Sequence, residues 1–306
     1  MNNVVNEAEV ATFETVKKTH GRNRKKGVML KSPEEKFKEN LPKFRTTIQS
    51  SDMLAELKEV LATSNISHIR CLALGNFMDD TPATYQLALL LELVQWIGFE
   101  PQATTNTVSK ELENGQENSE KKLFISIFDP IFTQLEKQYL KDLGEHNSYQ
   151  AWSVDDHNIW SNIGSSKILY FLPHADLELT EHIIKNDHPQ FLLANHIVQH
   201  TDRFTSRQLF ESFPHLGKLK SVMDVKTVVP IEDGFQTQQK SNHKRKNRRN
   251  KAGSLLALAT ANQIDYSELS SYFNKCVILS DFKNGLLLRD QPWQNAFSDL
   301  TLHSIE

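Results

Sequence analysis

The sequence predicts an α/β fold of Rossmann-like type, a mostly parallel sheet with flanking helices and disordered insertions. The first observation is four apolar runs that each stop at a polar, turn-prone signature. Cys71-Leu72-Ala73-Leu74 ends at Gly75-Asn76, and Ile125-Ser126-Ile127-Phe128 ends at Asp129-Pro130. Ile168 to Leu172 ends at Pro173-His174, and Phe191 to Ala194 ends at Asn195-His196. The second observation is that a helical pattern follows each run, the alternation that makes crossovers and a parallel sheet. Ligands of such sheets lie beyond the carboxyl ends of the strands, so these polar residues also mark where a site would be.

Residues 1 to 45 read as a mostly disordered basic arm, with Lys17, Lys18, Arg22, Arg24, Lys25 and Lys26, closing in a short helical lead-in. Residues 46–306 read as a single domain with disordered insertions at about 103–122 and 230–253. Ser51 to Ala62 places Met53, Leu54, Leu57, Val60 and Leu61 on one helical stripe, expected beside the first strand. That strand spans about 69–74. Thr81 is a natural N-cap, with Pro82 at the first helical position, for a helix from Ala83 to about Ile97 that ends at Gly98. Its apolar residues surround most of the circumference (Leu87 to Leu91, Leu93, Val94, Trp96), which predicts deep burial.

The second strand covers 123–128, and a helix from about Thr133 to Leu143 closes at Gly144. Strands at 149–154, 167–172 and 190–195 follow, with helices near 177–185 and 205–213. The tail carries a helix near 255–261 and a strand at Val277-Ile278-Leu279.

The 306 residues carry a net charge of −3, so the whole chain is not a generic polyanion binder, and no sequence-specific nucleic-acid contact is expected. Cys71 and Cys276 sit in apolar surroundings and read as buried, reduced thiols. No stretch reaches the roughly 18 apolar residues of a membrane span. Met1 to Val10 is too polar for a secretory signal, so a cytoplasmic and/or nuclear protein is expected.

Chemistry-bearing residues gather at the strand ends. Gly75 and the following helix N-terminus could cradle an anion, yet Asp79 and Asp80 repel phosphate and no dinucleotide or P-loop fingerprint is present. Asp129 either contacts a ribose or caps the turn into the next helix. His174 with Asp176 is a candidate catalytic pair, a base and its orienting carboxylate, although Asp176 is equally a good N-cap. Gly75, Asn76, Gln86, Asp129, His174 and Asn195 form the candidate ligand-binding set. No metal is expected: His196 and His200 have i, i+4 spacing, but the glutamate of a zincin and any helping cysteine pair are missing. Lys244, Arg245, Lys246, Arg248, Arg249 and Lys251 make either a nuclear-localisation patch or a solvated loop. The cofactor, if any, is unknown.

Taken in order, these motifs resemble the sensitivity-to-red-light-reduced family, a group that includes a yeast benomyl-resistance relative. The matching stretches are Leu74 to Phe77 with Tyr85 to Ala88, Phe128 to Thr133, Leu169 to His174, Leu193 to Asn195 and the closing Asn295 to Leu300. Asn76 stands where the family usually has serine, and Ala175-Asp176 where it has Cys-Glu, so a role for that cysteine does not transfer. The resemblance implies a regulatory protein with no agreed reaction, in a microtubule-related or a circadian or haem-related process, acting with unidentified protein partners. The alternative is a small-molecule, nucleotide-like binder or enzyme using the crevice at the strand ends.

Overall fold

In a computed structural model of the chain, β1 (His68–Leu72), β2 (Leu123–Phe128), β3 (Gln150–Val154), β4 (Ile168–Leu172), β5 (Phe191–Asn195), β6 (Cys276–Ser280) and β7 (Leu300–Ile305) form one sheet. Its order is β3-β2-β1-β4-β5-β7-β6. The structure describes residues 31–99, 122–145, 149–154, 163–224 and 264–306. The first five strands are parallel, with Cys71 level with Ile127 on one side and Phe171 on the other. β7 runs antiparallel to both β5 and β6. The mostly parallel α/β fold read from the sequence is therefore the one observed, and the order reverses between β1 and β4.

Eight helices flank the sheet among the described residues: α1 (Pro33–Gln49), α2 (Asp52–Leu61), α3 (Thr81–Phe99), α4 (Gln134–Glu145), α5 (Leu177–Asn186), α6 (Ile197–Thr201), α7 (Ser206–Ser212) and α8 (Pro214–Asp224). The strands are near-continuous apolar runs because both faces are covered, as parallel sheets require. One core joins Ile69, Cys71, Ile127, Phe171 and Leu302 to apolar residues of α1, α2, α3 and α4. The other joins Leu72, Tyr170, Leu172, Leu192 and Ala194 to α5, α6 and α8. Residues 33–306 make one compact unit. No described helix is long and apolar enough to cross a membrane, and both cysteines are buried free thiols, as the sequence implies.

Several boundaries differ from the sequence reading, each for a physical reason. The helical lead-in is long: α1 fills 33–49, although only Phe37, Leu41 and Ile48 of it are buried. Its stability comes from packing rather than periodicity. Phe44 stacks on Tyr85 with centroids 3.8 Å apart, and Arg45 Nε meets Glu92 Oε1 at 2.6 Å. The N-cap of α3 is Asp80 and not Thr81, because the Asp80 carboxylate accepts the Ala83 N–H at 3.3 Å. The expected deep burial of α3 is observed, with Leu87 to Leu90, Leu93 and Val94 all shielded.

Gly98 and Gly144 lie inside α3 and α4 instead of ending them. At Gly144 a Cβ would stand 3.2 Å from that of Trp152, so the bare backbone lets α4 lie against β3. α2 is placed against β6 and α1. The sequence reading missed α6, α8 and β7. The arm to residue 30, most of the insertion at 103–122, the segment 230–253 with its basic residues, and the helix near 255–261 fall outside the described residues.

Candidate functional site

At the carboxyl end of β1 the chain turns sharply, with Ala73 at φ 54° and Gly75 at φ 85°. Glycine suits the second position, since L-residues there press Cβ on the carbonyl. A Cβ on Gly75 would also lie 3.3 Å from that of Ala83. Gly75→Ala is expected to lose about 1–2 kcal/mol, read as a lowered Tm; an unchanged melt would show that the turn relaxes freely.

Asp129, at the end of β2, holds this turn. Its Oδ2 accepts the Gly75 N–H at 2.9 Å and its Oδ1 the Ile131 N–H at 3.0 Å. The two strand ends are thus tied by one buried carboxylate. Asn76 closes its own turn, with Oδ1 accepting from the Asp79 N–H at 3.2 Å.

A second clasp escaped the sequence reading. Glu136 is fully buried, and its Oε1 accepts the Met78 N–H at 3.1 Å. Its Oε2 accepts from the Thr133 N–H at 2.9 Å and from the Thr133 hydroxyl at 3.0 Å. Thr133-x-x-Glu136 is a capping box, so the pattern was present in the sequence. What it could not reveal is that the same carboxylate reaches the turn after β1.

Of the remaining expected residues, Gln86 is buried and donates from Nε2 to the Ala296 carbonyl at 2.9 Å, binding α3 to the tail. Asp176 caps α5, its Oδ1 accepting the Leu179 N–H at 2.8 Å. Its carboxylate orients the helix start, and no hydrogen bond joins it to His174 among the described residues. Asn195 donates from Nδ2 to the Ala175 carbonyl at 3.2 Å, drawing the end of β5 to the turn after β4. His174 is exposed on that turn. Gly75, Asn76 and Asp129 therefore meet around β1 and β2, while His174, Asp176 and Asn195 gather around β4 and β5.

Two clefts open among the described residues. One, of about 110 Å³, has Lys36, Asn40, Asp79 and Thr81 over Phe37, Phe44 and Met78. The other, of about 40 Å³, lies where β5 ends, β6 ends and β7 begins. None of the six candidate ligand residues lines either cleft. The smaller one is walled by an uncommon backbone: Phe282, Lys283, Asn284 and Gly285 all have positive φ, from 54° to 74°. This single left-handed turn costs about 1 kcal/mol or more for each of its three non-glycine residues.

Beneath that wall, His196 caps α6, with Nδ1 facing the Gln199 N–H at 3.5 Å, and burial pushes its imidazole below the ordinary value. Its ring stands edge-on to His303 at 6.1 Å. His303 is fully buried and its Nε2 has no hydrogen-bond partner among the described residues. Burial holds this imidazole neutral, with its pKa lowered to about 3. No group of three or more metal-ligating side chains occurs among the described residues. A family model described as the SRR1 domain matches residues 45–304. No curated protein and no solved structure matches the chain.

Proposed function

The chain belongs to the SRR1 domain family, and on that premise we propose that it is a regulatory protein without a reaction of its own, whose strand-end motifs are scaffold. The process is microtubule-related, or circadian or haem-related, carried out with protein partners in the cytoplasm and/or the nucleus. One observation supports the reading above others. Polar groups that would do chemistry at the strand ends are engaged in holding the backbone: Asp129 on Gly75 and Ile131, Asp176 on Leu179 and Asn195 on Ala175, while Gln86 inside α3 is spent on Ala296. A carboxylate whose two oxygens each accept a backbone N–H is committed to the turns it joins rather than turned toward a substrate.

The second reading, a nucleotide-like small-molecule site, draws on His174, which is exposed on the turn that Asn195 ties to the end of β5. A thermal-shift screen with nucleotides, a methyl donor and tetrapyrroles separates the two. A ligand at 100 times its Kd stabilises by about 2.7 kcal/mol, which moves the Tm of a chain this size by about 4–8 °C. The regulatory reading expects no such shift. A shift in the wild type that disappears in the folded His174→Ala variant would overturn it.

A further inference from the structure

The cleft where β5, β6 and β7 meet holds charges of both signs that do not pair with each other. Asp281 and Asp299 line it together with Arg289, and Gln199 and Asn284 add two amides. Among the described residues Arg289 forms no ion pair and the Asp299 carboxylate accepts no hydrogen bond. Asp281 uses one oxygen, Oδ1, on the Asn284 N–H at 3.0 Å.

The left-handed turn produces this arrangement. Its closing bond runs from the Gly285 N–H to the Asp281 carbonyl at 2.8 Å, which sets Asp281 at its foot. The Arg289 guanidinium folds over the far side, 3.9 Å from where a Cβ on Gly285 would sit. Buried Phe282 and Leu288 anchor the strained segment, and the Phe282 N–H donates to Ser280 Oγ at 3.2 Å. Backbone strain persists only where its surroundings over-determine it, and such places are often ligand clamps.

We propose that this cleft binds a small zwitterion of the α-amino-acid class, its ammonium between Asp281 and Asp299 and its carboxylate on Arg289. The charge pattern discriminates against the simpler ligands. A phosphate or a plain carboxylate meets two acids, and a bare cation meets the guanidinium. A volume of about 40 Å³ accommodates the charged end of such a molecule and leaves its side chain directed to solvent. The Gln199 and Asn284 amides supply the neutral hydrogen bonds that fix its orientation. The inference extends beyond the proposed regulatory role and does not depend on it.

Titration calorimetry on the full chain tests the site with glycine, L-alanine and L-serine, beside glycinamide and acetate as probes lacking one charge. The amino acids are expected to bind, and glycinamide and acetate to bind at least about tenfold more weakly. Arg289→Met and Asp299→Asn, both at positions outside the core, should each weaken binding by a similar factor while circular dichroism and the unliganded melt stay as in the wild type. Equal binding of glycinamide or acetate, unchanged binding in both folded variants, or no heat with any amino acid at millimolar concentration would each overturn the proposal. A nucleotide shift that depends on His174 would leave it untouched, so failure of one reading is distinguishable from failure of the other.

Discussion

Glu136→Ala is expected to destabilise the fold by about 3–5 kcal/mol, because it removes a buried carboxylate that accepts three part-buried hydrogen bonds, each worth about 1.5–3 kcal/mol at most. The carboxylate serves Met78 on one side and the Thr133 amide and hydroxyl on the other. Bonds to an ionised acceptor are the stronger kind. Glu136→Gln should lose roughly half as much: the amide keeps one acceptor oxygen but turns an NH₂ group toward a donor. Urea denaturation reads both as lowered midpoints with an unchanged slope. Total stability is about 5–15 kcal/mol for a typical domain, so the alanine variant should be soluble only in part. An alanine variant within 1 kcal/mol of the wild type would mean that the two turns hold without the clasp.

Mild acid is the second large effect. His303 stays neutral in the folded chain down to about pH 3 and His68 to about pH 4, whereas unfolded histidine takes up a proton near pH 6.5. Burial is the main cause at both positions, aided at His303 by the neighbouring His196 and at His68 by Lys167. Because the folded pKa values are depressed, the stability they sustain is complete above pH 6.5 and drains away as the pH falls toward the folded values. From these two groups the unfolded chain binds up to two extra protons; fully buried His303 accounts for a loss of about 2 kcal/mol between pH 7 and pH 5, and the better-solvated His68 for less.

His303→Leu separates the contributions. It removes a buried nitrogen without a partner among the described residues and sacrifices a long contact of 3.4 Å from Nδ1 to the Leu192 carbonyl. The variant should match or slightly exceed the wild type at pH 7 and show a clearly shallower acid slope. A slope equal to the wild type's would place the acid sensitivity elsewhere.

The parallel half of the sheet was legible because each strand there is an apolar run followed by a turn and a helix. β7 was not: Leu300 to Ile305 is a short run with Thr301, His303 and Ser304 in it, and all six residues are buried only because β5 and β6 enclose them. Gly75, Asn76, Asp129, His174 and Asn195 lie at or just beyond strand ends and Gln86 lies within α3, yet the spacing of Asp129, Gln86 and Asn195 says nothing about their hydrogen-bond partners. Gln86 and Ala296 are 210 residues apart. The smaller cleft was invisible for a different reason: its two acids and its guanidinium all sit on the one connection between β6 and β7, where a left-handed turn built from Phe282, Lys283 and Asn284 carries no glycine signal until Gly285.

The place of β7 between β5 and β6 has a consequence for biosynthesis. On the ribosome β6 emerges before the strand that must separate it from β5, so it has no partner in the finished sheet at the moment it appears. The nascent chain therefore carries β5 and β6 as open edges that are free to pair wrongly with each other. Such late, non-local pairings are slow and leave partly folded chains exposed to aggregation. Chaperone dependence should thus persist until residues 300–305 are free to insert between β5 and β6.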